Sequence, residues 1–161
     1  MLAFIWAEAK NKTIGKNGGL PWNIPDDMKF FKETTINHQI LAGSKTFASF
    51  KRPLPKRKNL ILTHQDSNDF PENTTVFNNV DQFLHYANEF KNETIFVVGG
   101  QKIFKELYQH VDFLYITKID KNIDGDVKMF DINYDDFKLL KSWNGEENQE
   151  YPHRFEIYQR K

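Results

Sequence analysis

The chain contains no cysteine. Disulfide scaffolding and thiolate chemistry are therefore excluded, and nothing hints at secretion. It also lacks an excess of either charge: 22 Lys and Arg stand against 22 Asp and Glu, with no run of five like charges. A general affinity for nucleic acid or an anionic membrane needs a basic excess or block, so neither partner is expected. No window approaches the length of a membrane span. The opening MLAFIWAEAK has too short an apolar run for a signal peptide and lacks its basic start. His38, His64, His85, His110 and His153 show no metal-ligand spacing. The acids around Asp124 and Asp126 lack the spacing and final glutamate of a calcium loop and read as a solvated loop. P-loop, nucleophile-elbow and G-x-G-x-x-G motifs are all missing. The expectation is a cytoplasmic protein without a metal.

What is present argues for one folded α/β domain. The chain has 161 residues, enough for a single sizeable core, and 15% are aromatic, far from a disordered composition. Leu2 to Ala7 is a continuous apolar run, as in a strand buried on both faces. A loop with Gly15, Gly18, Gly19 and Pro21 follows and reads as a mobile segment. Pro25 with Asp26 and Asp27 marks a helix start, and the helix is expected to run to about Thr35. Strands are expected over 38–42, 59–63, 74–77, 94–98 and 111–119, with helices after Gly43, Asn79 and Gly100. Asn79 with Gln82 fits a capping box. Residues 137–143 and 154–159 read as a closing antiparallel pair. Short strands alternating with helices predict a largely parallel sheet.

Four places could carry chemistry. Gly99-Gly100, between an apolar strand and a helix, has the geometry that turns backbone N–H groups toward an anion. Alone, it reads more readily as a tight turn needing positive φ. Gly43-Ser44-Lys45-Thr46 offers two hydroxyls and a cation at another strand-to-helix turn; ordinary capping by Ser44 is the simpler reading. Thr63-His64-Gln65 ends a third strand similarly. Three such strand ends together are better evidence than any one, because open α/β sheets bind ligands there. Asp27 shares a helix face with Phe31, beside Met28. It is either a surface acid serving the helix dipole or a carboxyl in an apolar pocket. The dipole lowers its pKa and desolvation raises it, and the residues alone leave that contest open. Arg57 follows the stiff Pro53-Leu54-Pro55 and suits bidentate carboxylate recognition; a solvated basic loop is the plainer alternative.

In this order, LAFIWA, IGKNGGLPWNIPDDMKFF, GSKTFASF, RPLPKRKNLILTHQ, IFVVGGQKIF, LYITKI and IDGD resemble dihydrofolate reductase of the bacterial chromosomal type, over nearly the whole chain. The resemblance implies a central eight-stranded, mostly parallel sheet with an antiparallel C-terminal strand and about four flanking helices. It implies NADPH as cofactor, dihydrofolate as substrate, binding of diaminopyrimidine or pteridine antifolates, and a monomer. Hydride would pass to C6 of the substrate with protonation at N5. Asp27 would hold the pterin edge, supported by Thr117, with Leu20 and Trp22 from the closing loop also in the catalytic set. Ile5, Trp6, Ala7, Met28, Phe31, Lys32, Ser49, Phe50, Leu54, Val98 and Phe104 would line the substrate site, and Arg57 would clamp the glutamate α-carboxylate. The cofactor would meet Ala7, Ile14, Gly18, Gly19 and Leu20 at its nicotinamide side. Gly43, Ser44, Lys45, Thr46, Val98, Gly99, Gly100, Gln101, Lys102, Ile103 and Phe104 would hold its pyrophosphate and riboses. Leu62, Thr63, His64 and Gln65 would meet its adenosine end. Gly99-Gly100 matches the family's cis peptide.

Three positions depart from the family pattern. Ser44 stands where many relatives have Arg near the 2′-phosphate, leaving Lys45 and His64 to compensate. Val127 stands where Thr is usual, and Trp6 where smaller residues also occur. Two alternatives compete. A related NADPH-dependent aminopyrimidine reductase would share the sheet but has no reason to carry LPWNIPDD with RPLPKR. A non-catalytic pterin- or nucleotide-binding relative would most plausibly have lost Asp27 or Arg57.

Overall fold

The computed structural model describes all residues, 1–161, and is built around one eight-stranded sheet. Its elements in chain order are β1 (Leu2–Ala9), β2 (Thr13–Gly15), α1 (Pro25–Thr35), β3 (Gln39–Gly43), α2 (Ser44–Ser49), β4 (Lys58–Leu62), β5 (Thr74–Phe77), α3 (Val80–Ala87), β6 (Ile95–Gly99), α4 (Gln101–Leu107), β7 (Phe113–Ile119), β8 (Val127–Lys128), β9 (Phe137–Asn144) and β10 (His153–Arg160). The order across the sheet is β5-β4-β3-β6-β1-β7-β10-β9. Six neighbouring strands, β5 through β7, run parallel, and β10 runs antiparallel to both β7 and β9. The parallel sheet, the antiparallel C-terminal strand and the four helices agree with expectation.

β1 is central because it can be covered on both sides. Ala3 and Ile5 face one layer, capped by Phe30 and Phe31 of α1. Leu2, Phe4 and Trp6 face the other, where Ile103, Phe104 and Leu107 of α4 pack. An alternating amphipathic strand would leave one of these layers wet. β1 also runs two residues past the expected Ala7, since Glu8 and Ala9 still pair with Lys118 and Ile119.

The parallel strands put their carboxyl ends on one edge, where β3 feeds α2 and β6 feeds α4. Asn79 caps α3 by accepting the Gln82 N–H at 2.8 Å. The return bond goes one residue further back than in a standard capping box: Gln82 accepts the Asn78 N–H at 3.1 Å.

The glycine-rich segment after β1 holds defined structure. β2 pairs with β8 as a separate two-stranded ladder, too short to show a sequence pattern. Lys16 and Gly19 exchange backbone hydrogen bonds at 2.9 and 3.0 Å around Asn17 (φ 51°) and Gly18 (φ 80°). Asn-Gly with two positive φ angles is the preferred two-residue hairpin turn. The glycines here specify a turn. Asp126 is also more than a solvated acid, since it accepts the Asn17 N–H at 3.1 Å, and Asp124 pairs with Lys16 at 3.3 Å.

Candidate active site

A partly buried polar contact joins α1 to β7. Pro25 opens α1 and supplies its first turn without a side-chain cap. That turn carries Asp27 against the sheet, where the Thr117 hydroxyl donates to its Oδ1 at 2.6 Å. Thr117 is 1% exposed, so this hydroxyl is committed to the carboxylate. Desolvation is the largest influence on Asp27 and raises its pKa above the ordinary 3.8, outweighing the Thr117 hydrogen bond and the charge of His153. Burial thus leaves a carboxyl that holds its proton more readily.

Around it the fold gathers apolar side chains distant in sequence. Ile5 of β1, Phe31 of α1, Leu54 of the proline turn and Val98 of β6 form one cluster, with Phe30 and Tyr115 beside them. Phe50 joins Val98 in the adjoining cluster under α2. Met28 is 62% exposed and Leu20 58%. Lys32 and Ser49 are exposed, and the Ser49 hydroxyl donates to the Thr46 carbonyl.

Arg57 sits at the far end of this cluster. Its Nη1 donates to Thr35 Oγ1 at 3.2 Å and its Nε to the Pro55 carbonyl at 3.0 Å. Partial burial lowers its pKa from 12.5, yet a guanidinium remains charged. The protein's six ion pairs all leave it out. A half-buried, oriented cation without an internal acid suits an incoming carboxylate.

On the other side lie the strand-to-helix turns. Gly43, not Ser44, occupies the cap position of α2, and no side chain caps either α2 or α4. The simple capping role for Ser44 is therefore corrected: Ser44 is the first helical residue, and its hydroxyl is not used that way. The two turns pack closely. A Cβ on Gly43 would meet Ile103 Cγ1 at 3.0 Å, and one on Gly100 would meet Thr46 Oγ1 at 3.3 Å. The Gly99–Gly100 peptide is cis, and Gly99 has φ 115°. Beyond them, Asn78 ties the third strand end together by donating to the carbonyls of Thr63 at 2.9 Å and Gln65 at 3.1 Å. Lys45 and His64 are exposed nearby in sequence to these turns.

Some expected residues are placed apart from the pocket. Trp6 faces the opposite side of β1 from Ile5, against Phe104 at 5.7 Å between ring centroids, and its Nε1 donates to Glu8 at 2.8 Å. Strand alternation dictates this, since Ile5 and Trp6 are neighbours. Leu62, Ile103 and Phe104 are 5%, 7% and 2% exposed in the main core. Their side chains hold the turns in place, so only their backbones are available to a ligand. Trp22 is buried with its indole N–H lacking a protein partner. Val127 pairs with Gly15 in the β2–β8 ladder.

Sequence reading passed over several contributors. Asn59 accepts the Leu54 N–H and donates to the carbonyls of Leu54 and Arg57, each at 3.0 Å, bracing the turn that presents Arg57. A lone amide in the apolar strand KNLIL was the available signal. Tyr115 lies two residues from Thr117 on one strand face, a period-two signal. His153, 127 residues from Asp26, left no trace at all, although its Nε2 lies 2.6 Å from Asp26 Oδ2.

Comparison with known proteins agrees with this geometry. The family model described as dihydrofolate reductase matches residues 1–160. Dihydrofolate reductase of Enterococcus faecium is 37% identical, covering 99% of this chain and 97% of the relative. That of Bacillus subtilis strain 168 is 35% identical over 100% of this chain and 95% of its own. The solved structure of dihydrofolate reductase from Enterococcus faecalis, complexed with NADP(H) and RAB-propyl, superposes with a TM-score of 0.91 at 36% identity, covering 99% of this chain and 96% of that one. With a pocket carboxyl, a free guanidinium and paired glycine turns already in the fold, this match over the whole length shows that the chain belongs to the dihydrofolate reductase family.

Proposed function

We propose that Asp27, Thr117 and Arg57 are the substrate-handling residues of this NADPH-dependent dihydrofolate reductase. The chain reduces 7,8-dihydrofolate to tetrahydrofolate, consuming one NADPH and one proton. The carrying observation is Asp27: a carboxyl set into the sheet, bonded through Oδ1 to Thr117, with its pKa raised by desolvation. A carboxyl so placed can accept from an amidine edge, the N3 and 2-amino group of a pterin, and so orient the ring. Its readiness to hold a proton supports delivery toward N5 through water. Ile5, Phe31, Leu54 and Val98 would supply the apolar walls, and Arg57 would take the substrate's α-carboxylate.

The residues present fit NADPH. The turns at Gly43 and Gly100 are bare backbone, crowded by Ile103 and the Thr46 hydroxyl so that a Cβ would press on them. Neither following helix has a side-chain cap, which leaves first-turn N–H groups for phosphate oxygens. Thr63, His64 and Gln65 would take the adenosine 2′-phosphate, and Ala7, Ile14 and Leu20 the nicotinamide side. When bound, NADPH supplies the hydride for C6. The hairpin at Lys16 to Gly19, tied to Asp126, holds the stem of a segment that would exclude water from the reacting atoms. The same pocket would take diaminopyrimidine antifolates through the Asp27 carboxylate. All these groups come from one chain, consistent with a working monomer.

The test is dihydrofolate-dependent oxidation of NADPH, with NADH in parallel. Rapid turnover that Asp27→Asn nearly abolishes at neutral pH is the expected result. Comparable turnover by variant and parent would remove the role given to Asp27. Tight ligand binding without turnover in the parent would favour a non-catalytic relative.

A further inference from the structure

Asp27 has a neighbour of like charge whose burial is otherwise unexplained. Asp26 is only partly exposed, and its Oδ2 meets two donors: His153 Nε2 at 2.6 Å and the Glu146 N–H at 2.9 Å. The His153 ring is fully enclosed, with no side-chain exposure. Its second nitrogen, Nδ1, lies 2.9 Å from the Tyr151 carbonyl oxygen. A carbonyl oxygen only accepts, so Nδ1 must carry a hydrogen. A carboxylate only accepts, so Nε2 must carry one too. With Asp26 ionised, both contacts are satisfied at once only by the imidazolium. The alternative, a proton on Asp26 facing a neutral ring, leaves the pair with the same zero net charge. Desolvation pushes Asp26 toward that protonated form, but the His153 bond, the Glu146 N–H and the charges of His153 and Lys29 together hold it below its ordinary pKa.

The packing leaves the pair no slack. A Cβ on Gly145 would lie 2.1 Å from His153 Nε2 and 2.7 Å from Asp26 Oδ2, so glycine is required where the β9–β10 connection crosses. His153 opens β10, which pairs with β7 as far as His153–Ile119. The same β7 presents Thr117 to Asp27. Two links therefore tie the first turn of α1 to the sheet: Asp27 to β7 and Asp26 to β10. The charged groups acting on the pair are Asp27 and Lys29 from α1; from the β9–β10 connection, Glu146 and Tyr151 touch it through their backbone N–H and carbonyl. Lys118 of β7 turns away to Glu8 and Tyr134, and Arg154 of β10 is engaged by Glu156.

We propose that His153 is a positioning residue for Asp27: as an imidazolium bonded to Asp26 and Tyr151, it cancels the charge of Asp26 beside the working carboxyl and fixes the turn that carries both acids. The effect has a definite sign. The charge of His153 favours ionised Asp27, and that of Asp26 opposes it. Removing only the imidazolium leaves Asp26 uncompensated and makes Asp27 keep its proton to higher pH. Removing both charges offsets most of that rise, His153 being the larger of the two influences.

The functional consequence rests on the role of Asp27 proposed above, so the test reads the carboxyl directly as well as the rate. Nitrogen NMR of His153 in the intact protein at neutral pH should show both ring nitrogens protonated; a neutral ring overturns the proposal without any variant. Carbon NMR of the Asp27 carboxyl should titrate about 0.5–1 pH unit higher in His153→Gln. It should return most of the way toward the parent value in Asp26→Asn combined with His153→Gln. The falling alkaline limb of single-turnover hydride transfer should move in the same order. A loss of stability with an unmoved carboxyl titration, or a titration the double variant leaves fully displaced, would reduce His153 to a structural residue. If the carboxyl moves and the rate profile does not, the proposal about His153 holds and the assignment of Asp27 to proton handling falls.

Discussion

The two halves of the site are built from different materials. The α1 side is made of side chains: Asp27 against Thr117, Arg57 against Thr35, and an apolar cluster drawn from four separate segments. The side at the ends of β3 and β6 is made of backbone, with Gly43 and Gly100 kept free of Cβ and their helices uncapped. A side-chain site tunes chemistry through burial and charge, and loses it when one group is deleted. A backbone site offers N–H groups that deletion cannot remove, and is damaged by addition.

That contrast orders the consequences of substitution. Asp27→Asn is expected to lower turnover by roughly 10²–10⁴-fold at neutral pH, read by NADPH oxidation. The same variant should melt higher than the parent at neutral pH. Asp27 has a folded pKa above its ordinary value, so between the two the folded state binds more protons, and stability falls as pH rises through that window. The uncharged amide escapes this loss, and its advantage should fade as the pH falls to the ordinary carboxylate range. A variant less stable than the parent at every pH would show that ionised Asp27 is not a burden on the fold.

Arg57→Leu should raise KM for dihydrofolate by about 10- to 100-fold, the loss of a charge-assisted contact. NADPH affinity should stay near the parent value; a pure cofactor defect would move Arg57 to the other side of the comparison. Gly43→Ala tests that other side by addition. Its new methyl would press on Ile103 at 3.0 Å, and NADPH binding should weaken about 5- to 20-fold by fluorescence titration. An unchanged affinity would mean that Ile103 simply yields. Smallest of all, Lys45→Ala and His64→Ala should each lower the preference for NADPH over NADH by about threefold at low salt, with the difference shrinking as salt is added. Equal losses for both cofactors would place these side chains away from the 2′-phosphate.

Much of the backbone side was legible in the residues because local chemistry writes it. Glycines between an apolar strand and a helix, Pro25 ahead of two acids, and Asn79 before Gln82 are short-range signals that survive without tertiary context. The site residues named from family resemblance were another matter. Trp6 could be assigned to the pocket by number, yet alternation sends it to the other face of β1, where it meets Phe104 and Glu8. The bracing of Arg57 by Asn59 and of Thr63 by Asn78 needed the chain folded before it could be seen.

The adjacent acids of α1 show where the boundary lies. Pattern alone determined that the chain is α/β, that a helix starts at Pro25, and that Asp26 and Asp27 occupy its first turn. Period and capping operate over a few residues, so a few residues encode them. Only the tertiary structure decided that the two carboxyls have opposite fates. Asp27 loses water against β7 and its pKa rises, while Asp26 finds His153 from the far end of the chain and its pKa falls. Burial and charge pairing depend on which distant segments arrive, and that information exists only once the sheet has closed around them.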